Sequence, residues 1–211
     1  ALFDLNHGMT DFKGTIRMAA SSVPGQFIVP KMVKQFREKY NHVTFHVNES
    51  PSKVVADKVL NGSVDMGILG EKYESDKLCY IPLLKEKLVL ITSKQLELIT
   101  PVKIQDMMKY TFVMRDTDSG TNSIIERFLR KHQIAKDQLN IIAYTDSGQG
   151  LVQYVKQGIA ISVISEIAAR EYTSDNMINM YEIEDFNDER YFYLVYNVNK
   201  TLSMISKQFI E

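Results

Sequence analysis

The first part of the chain alternates between stretches with the two-residue period of strands and stretches with the period of helices. Residues 15–19 are predicted to form a strand, and the apolar residues within 26–40 recur at the three- and four-residue spacing of a helix. Val43, Phe45 and Val47 alternate with polar residues and predict a second strand. The order of these elements is that of a βαβ unit.

A second βαβ unit follows directly. Ser50 and Pro51 are predicted to be the N-cap and the first residue of a helix that runs to residue 60. Gly62 ends this helix, because glycine readily adopts the left-handed conformation that commonly follows a helix, and residues 64–69 return as a strand. Two successive units of this kind predict a parallel sheet.

The alternation restarts after Pro101 and predicts a second lobe. Strands are predicted at 87–92, 111–114, 139–144, 160–164, 177–183 and 191–198, and helices near 104–108, 124–132, 151–155, 165–172 and 202–210. The pattern predicts an α/β protein of two Rossmann-like lobes with a central cleft, lobe I at 14–86 plus 191–211 and lobe II at 87–190. Two strands should cross between the lobes.

Ligands of open α/β sheets bind beyond the carboxyl ends of the strands, where helices begin. The loops at those ends are 20–25, 49–52, 69–73, 115–121 and 145–149. Four of the five are rich in small hydroxyl residues and glycine. They supply these candidate ligand-binding residues: Ser21, Ser22, Ser52, Ser119, Gly120, Thr121 and Ser147.

These loops stand just before predicted helices, and two explanations of their composition stay open. The free N–H groups and the positive dipole end at a helix start attract anions, and Ser or Thr adds a hydrogen-bond donor. The same residue types are common as N-caps and in turns, so each loop taken alone has a purely structural explanation. Convergence of several loops on one cleft favours the anion site.

Arg115 follows a predicted strand and precedes two acids. Its guanidinium could clamp a carboxylate or another oxyanion of a ligand. It could equally pair with Asp116 or Asp118, which stand close to it in the chain. Both interpretations of Arg115 are open from the sequence.

Composition narrows the classes of function. The 211 residues include 25 Lys and Arg against 26 Asp and Glu, a net charge of -1, so the chain lacks the basic excess that nucleic-acid binding requires. Its apolar runs are far shorter than the roughly 20 residues that span a bilayer. Cys79 is the single cysteine, and no Cys/His cluster has zinc-site spacing. No disulfide, metal or cofactor is therefore predicted.

Catalysis is not predicted either. A histidine base must reach a nucleophile held in the site, and none of the four histidines lies in a candidate loop. The sequence Asp-Ser-Gly occurs twice, but neither copy has the Gly-x-Ser-x-Gly elbow that exposes a nucleophilic serine above a sheet. The residues favour a binding protein over an enzyme.

Four segments together resemble a known family. They are Gly14-Thr-Ile-Arg-Met-Ala-Ala-Ser-Ser-Val-Pro-Gly, Leu60-Asn-Gly-Ser-Val-Asp-Met-Gly-Ile68, Arg115-Asp-Thr-Asp-Ser-Gly-Thr121 and Val155-Lys-Gln-Gly-Ile-Ala-Ile161. In this order and spacing they resemble the effector-binding domain of LysR-type transcriptional regulators, over nearly the whole chain. Two positions depart from the family pattern. Ser165 stands where the family commonly has proline, and Asn122 where a basic residue often follows the threonine, which argues against a highly charged effector.

The resemblance implies a fold like that of type II periplasmic binding proteins, with a small anionic effector in the inter-lobe cleft and no chemical reaction. It implies contact with DNA only through an N-terminal helix-turn-helix domain and linker helix, of which residues 1–13 resemble the remnant. It also implies a cytoplasmic protein without membrane association that forms dimers or tetramers. The alternative is an extracellular solute-binding protein of the same fold that serves a transporter.

The helix predicted over 26–40 gives independent support for self-association. Its apolar arc is wider than one stripe packed against a sheet requires. A two-fold dimer would bury the surplus against a lobe II element of the partner, such as the helix at 124–129. Alternatively, the whole arc packs inside one lobe.

Overall fold

The computed structural model of the protein describes residues 12–116, 120–174, 176–187 and 190–211. Within that part of the chain, the residues up to Ile81 and the segment Tyr193–Glu211 form one compact unit, unit 1, and Pro82–Phe192 form a second, unit 2. Ser119, Asp118 and most of the predicted linker remnant at 1–13 lie outside the described residues.

The strands and helices predicted from the hydrophobic pattern are present, with ends shifted by a few residues. The strands are β1 (Gly14–Ala20), β2 (Val43–Glu49), β3 (Met66–Leu69), β4 (Leu78–Glu86), β5 (Leu88–Ser93), β6 (Thr111–Arg115), β7 (Asn140–Thr145), β8 (Ser162–Ser165), β9 (Ile178–Tyr181) and β10 (Arg190–Asn197). The helices are α1 (Val29–Lys39), α2 (Ser52–Asn61), α3 (Ile104–Met107), α4 (Gly120–Lys131), α5 (Gly148–Lys156), α6 (Glu166–Thr173) and α7 (Met204–Ile210).

Unit 1 is built on a five-stranded sheet in the order β2-β1-β3-β10-β4. β1 pairs in parallel with both β2 and β3, as the two βαβ units predict, whereas β10 is antiparallel to β3. Helix α2 packs closely on β3 at Gly67, because a Cβ atom there would stand only 2.5 Å from a methyl carbon of Val55. Because β1 is parallel to both β2 and β3, the carboxyl ends of these three strands lie at the same edge of the sheet.

The hydrophobic pattern did not predict strand β4. It contains Pro82, which lacks the N–H group that a central strand needs. β4 stands at the end of the sheet order, where one side of a strand needs no partner, so the proline is tolerated. The divisions between unit 1 and unit 2 fall inside β4 and β10, and the chain passes from one unit to the other in these two strands.

Two predicted helix starts are wrong in detail. Ser50 is not an N-cap, since Pro51 occupies that position without a side-chain hydrogen bond and α2 begins at Ser52. The predicted turn at 21–25 is helical from Ser22 onward and continues into a π-helical segment, Pro24–Ile28, ahead of α1. Proline is accepted at this helix start because the first N–H groups of a helix have no intrahelical partner.

Unit 2 contains two smaller sheets. One has the order β8-β5-β9 with antiparallel pairing, and the other pairs β6 with β7 in parallel. A single bridge between Phe112 and Ile161 extends the pairing of β6. The carboxyl ends of β6 and β7 lie side by side and lead into α4 and α5, as those of β1 and β2 in unit 1 lead into helical segments.

The helix at 124–129 stays a prediction as a dimer contact. Its apolar side chains belong to the buried core of unit 2: Ile124, Ile125, Phe128 and Leu129. They are covered by their own unit, so a contact of this helix with a second copy would have to use its other side chains. In α1, by contrast, Val29 is buried whereas Met32, Val33 and Phe36 are half-buried. The described chain therefore covers the apolar arc of α1 only in part.

Candidate functional site

The loops that follow β1 and β2 start together at the carboxyl edge of unit 1. The Ser21 N–H group donates a hydrogen bond to the Ile68 carbonyl oxygen at 2.9 Å, and the Ser50 N–H group donates to the Ala20 carbonyl oxygen at 3.0 Å. These bonds extend the sheet pairing just beyond the strands. They hold the first residues of both candidate loops at the end of β1.

The hydroxyl groups predicted as ligand contacts in unit 1 stay available. Ser21 and Ser22 are half-buried, and Ser52 is 8% exposed at the first position of α2. These three hydroxyls form no hydrogen bond with any residue that the structure describes. They can therefore still donate to a ligand oxygen, beside the free N–H groups at the start of α2.

One cation and one anion accompany these hydroxyls. The half-buried Lys58 donates from Nζ to the Ser50 hydroxyl at 2.9 Å, a contact that the sequence pattern did not indicate. Glu49 is exposed and accepts a hydrogen bond from Gln26 Nε2 at 3.1 Å. The two charges have opposite sign, so the carboxyl edge of unit 1 has no clear preference for anions.

Arg115 lies at the corresponding edge of unit 2. The Asp116 N–H group donates to the Thr145 carbonyl oxygen at 3.0 Å, which joins the loop after β6 to the end of β7. Arg115 ends β6 and reaches the start of α5, since a Cβ atom on Gly148 would stand 3.1 Å from its Nη1. The guanidinium therefore lies beside the positive dipole end of α5, an arrangement that favours an anion.

Ser147 is the N-cap of α5, which is the structural explanation of this residue. Its hydroxyl accepts a hydrogen bond from the Gly150 N–H group at 3.0 Å, and its own N–H group donates to the Thr145 hydroxyl at 3.1 Å. A capping hydroxyl keeps its proton for a second hydrogen bond. Ser147 can therefore cap α5 and donate to a ligand at the same time.

Thr121 stands in the first turn of α4, directly after Gly120. It is 7% exposed, and its hydroxyl accepts a hydrogen bond from Arg190 Nη2 at 3.4 Å. Arg190 begins β10, and its Nε donates to Glu86 Oε2 at 2.6 Å. The structure thus adds a guanidinium to the neighbourhood of Thr121 that the sequence prediction missed.

Glu86, the last residue of β4, is the centre of this polar cluster. Its side chain is 0% exposed and that of Arg190 is 10% exposed. The Ser165 hydroxyl donates to the second carboxylate oxygen of Glu86 and accepts the Ala168 N–H group at 3.3 Å, which confirms Ser165 as the N-cap of α6. Burial raises the pKa of Glu86 above its ordinary value, while the Arg190 guanidinium opposes that rise.

Asn122, one of the two positions at which the sequence analysis found a departure from the family pattern, is buried in the same turn of α4. Its Nδ2 donates to Glu126 Oε1 at 3.4 Å, while its Oδ1 accepts no hydrogen bond from the described residues. A buried oxygen without a donor is unfavourable by about 1–3 kcal/mol unless water or a ligand supplies one.

The predicted site residues thus fall into two groups, one in each unit. The group in unit 1 consists of Ser21, Ser22 and Ser52. In unit 2, Arg115 and Ser147 lie at the start of α5, and Thr121 contacts Arg190 at the start of α4. Glu86 had one weak signal in the sequence, a carboxylate close to apolar strand residues. Its partner Arg190 is 104 residues away in the chain, so no local pattern connects them.

Within the described ranges, no group of three or more His, Cys, Asp or Glu side chains is placed to hold a metal ion. Among those residues, no helix combines the length and the apolar character needed to cross a membrane.

Several known proteins are similar to this chain. The family described as LysR substrate binding domain matches residues 10–211. An HTH-type transcriptional regulator of Methanocaldococcus jannaschii is 28% identical over 189 residues, which cover 87% of this chain and 62% of that protein. Two solved structures are similar to this chain, and each match covers 94% of this chain and 94% of the solved chain. They are the effector binding domain of QuiR in complex with shikimate, with a TM-score of 0.81 and 20% identity, and the CcmR regulatory domain of Synechocystis PCC6803 in complex with 2-PG, with a TM-score of 0.83 and 22% identity.

These similarities establish fold and family. The solved structures confirm the predicted α/β fold, which is the type II periplasmic-binding-protein kind with two lobes. The chain spans less than two thirds of the length of the first curated relatives, 62% and 65%. Because the family match extends over almost the whole sequence, the chain belongs to the LysR substrate binding domain family.

Proposed function

We propose that this chain is the effector-binding domain of a LysR-type transcriptional regulator, and that it senses a small anionic metabolite without converting it. The observation that carries the proposal is the family match over residues 10–211. The reported relative is an HTH-type transcriptional regulator, and both similar domains were solved with a small molecule. Binding would act by favouring one conformation of the domain, which requires no bond to form or break.

The proposed effector contacts in unit 2 are Arg115, Gly120, Thr121 and Ser147. Support comes from the Arg115 guanidinium at the start of α5 and from the hydroxyls at the starts of α4 and α5. Glu86 neutralises Arg190, and Asn122 replaces a basic residue, so the cationic charge here suits a weakly charged anion better than a highly charged one. Ser119 stays a prediction, as do Ser21, Ser22 and Ser52 of unit 1.

The rest of the regulator is proposed on the family alone. DNA would be bound by a helix-turn-helix domain that is not part of this sequence, and the protein would be a cytoplasmic dimer or tetramer. The half-buried apolar residues of α1 support self-association. The alternative, an extracellular solute-binding protein of a transporter, has less support because the reported relative is a regulator.

Thermal unfolding with candidate anions tests the proposed function. The chain has 11 tyrosines and no tryptophan, so circular dichroism or tyrosine fluorescence is the suitable signal. The probes are shikimate, sulfate and phosphate. A bound anion at about 100 times its Kd should stabilise the fold by about 2.7 kcal/mol. A chain that none of these or related anions stabilises would contradict the proposal.

Matched variants locate the site. Thr121→Val and Arg115→Gln should each weaken anion binding by about tenfold, since each removes a hydrogen bond to a charged group. Ser63→Ala is the control, because Ser63 is exposed and precedes β3, at the opposite end of that strand from the candidate loops. Equal affinity in all three variants would refute the assignment of the contacts.

DNA binding provides a second test. The isolated chain has a net charge of -1 and should show no salt-sensitive, sequence-selective binding to a promoter fragment. The same fragment should bind a protein that also contains the helix-turn-helix domain. Selective binding by the isolated chain would contradict the proposed division of roles.

A further inference from the structure

A buried polar cluster joins four elements of unit 2. Glu86 ends β4, Arg190 begins β10, Thr121 lies in the first turn of α4, and Ser165 caps α6. All four side chains are almost completely buried. Buried ion pairs often stabilise a fold no more than well-packed apolar residues would. The cluster therefore calls for a role beyond stability.

The guanidinium of Arg190 is held on three sides. Its Nε donates to Glu86 at 2.6 Å, its Nη2 donates to Thr121 at 3.4 Å, and its Cζ lies 4.9 Å from the centre of the Phe192 ring. A planar guanidinium carries donors on separate nitrogens and can serve two acceptors in fixed directions. A lysine ammonium at this position could keep the ion pair with Glu86 but could not reproduce this geometry.

The cluster connects a proposed effector contact with the two strands in which the chain passes between units. Thr121 is that contact, while Glu86 and Arg190 are the terminal residues of β4 and β10. The path from the start of α4 to both strands consists of two hydrogen bonds, one on each side of the guanidinium. The single side chain of Arg190 therefore connects Thr121 to the ends of both strands.

We propose that Arg190 is a positioning residue: anchored by Glu86, it holds the Thr121 hydroxyl and the first turn of α4 in a fixed place relative to the ends of β4 and β10. Arg190 itself need not touch the effector. An anionic effector that accepts a hydrogen bond from the Thr121 hydroxyl would leave the bond from Arg190 in place, and this links the bound effector to the two strands. Only this last step rests on the proposed function.

Amide hydrogen exchange of the chain without ligand tests the positioning role. Arg190→Lys keeps a charge for Glu86 but loses the second arm, so the amides of residues 124–127, which donate to the carbonyls of the first turn of α4, should exchange at least about threefold faster while the unfolding midpoint changes little. Arg170→Lys is the matched control, since Arg170 pairs with Glu166 at 2.8 Å on the exposed face of α6. Unchanged exchange at the start of α4 in Arg190→Lys would overturn the proposal.

A second variant keeps the test decisive if Arg190→Lys does not fold. The double variant Glu86→Gln with Arg190→Met removes both buried charges at once, which proteins tolerate better than the loss of one. The same amides of α4 should also exchange faster than in the wild-type chain, whereas those of β6 should not. Wild-type protection of these α4 amides in the double variant would likewise overturn the proposal.

Binding of an anionic probe separates this inference from the proposed function. With shikimate or sulfate as the probe, Arg190→Lys should weaken binding by about threefold to tenfold, and Arg170→Lys should leave it unchanged. If no anion binds the wild-type chain, the proposed function fails and the exchange experiment still decides the positioning role. If an anion binds both variants with wild-type affinity, the coupling of Arg190 to the effector site fails by itself.

Discussion

The carboxyl edges of unit 1 and unit 2 have the same sequence signature but differently engaged side chains. The hydroxyls of Ser21, Ser22 and Ser52 form no hydrogen bond with the described residues, whereas Ser147 caps α5 and Thr121 accepts from Arg190. The presence of Ser or Thr before a helix in the sequence therefore does not show whether its hydroxyl is free to bind a ligand. The residues that approach it from distant parts of the chain decide that.

The ion pairs of the two units differ in the same way. In unit 2, Glu86 and Arg190 pair in a buried setting. In unit 1, Arg17 Nη2 and Asp65 Oδ1 are 3.3 Å apart, with the arginine side chain 57% exposed. Water screens the second pair and can solvate either partner alone, whereas neither partner of the first can be left without the other.

Removal of one buried charge should have the largest effect. Arg190→Met leaves the Glu86 carboxylate buried without its cation and should lower the free energy of unfolding by about 3–5 kcal/mol, while Arg17→Met in unit 1 should lower it by about 0–1 kcal/mol. Urea unfolding measures both. Similar losses in the two variants would remove the energetic contrast between the units.

The N-caps allow a closer comparison. Ser165→Ala in unit 2 removes a cap and a hydrogen bond to the buried Glu86 carboxylate and should cost about 2 kcal/mol. Ser203→Ala in unit 1 removes the cap of α7 and a hydrogen bond to the neutral Ser206 hydroxyl and should cost about 1 kcal/mol. The same unfolding experiment applies. Equal costs would mean that the contact of Ser165 with Glu86 contributes no more stability than the contact of Ser203 with Ser206.

Replacement of a serine by alanine should lower stability at the candidate site of unit 2 but hardly change it at that of unit 1. Ser147→Ala should cost about 1 kcal/mol because it removes the cap of α5, whereas Ser52→Ala should change stability by less than about 0.5 kcal/mol because its hydroxyl has no partner in the described chain. Thermal unfolding without ligand gives both values. A large loss in Ser52→Ala would show that this hydroxyl is structural.

The smallest expected effect is a difference in pH dependence. Burial raises the pKa of Glu86 above its unfolded value, so the folded chain holds this proton more tightly, and the resulting stabilisation is lost as pH rises through the folded-state pKa. The unfolding free energy of the wild-type chain, measured relative to Glu86→Gln, should therefore fall as pH rises from the unfolded-state pKa of about 4.3 to the raised folded-state pKa.

The exposed Glu49 of unit 1 supplies the control for this titration through Glu49→Gln. The pH at which the stability difference changes identifies the group that titrates. If the wild-type chain instead gains stability relative to Glu86→Gln as pH rises, the attraction of Arg190 outweighs burial and the sign is reversed.

Local patterns predicted the helices and most strands because their periods depend on neighbours along the chain. They also predicted that Ser21, Thr121 and Ser147 would stand at strand ends next to helix starts. They failed for β4, where Pro82 contradicts a central strand, and for Ser50, whose role as a cap passed to Pro51. β4 tolerates its proline because it lies at the end of the sheet order, and the Ser50 hydroxyl accepts a hydrogen bond from Lys58 instead of capping α2.

The sequence by itself determined the fold class, the family and the loops that carry the candidate contacts, since periodicity and short motifs specify these locally. Only the tertiary structure decided which hydroxyls are occupied and which charges are paired. Glu86 and Arg190 are 104 residues apart and meet only because β4 and β10 enter the same sheet. The strength of their interaction comes from the exclusion of water around them, and burial is a property of the folded chain as a whole.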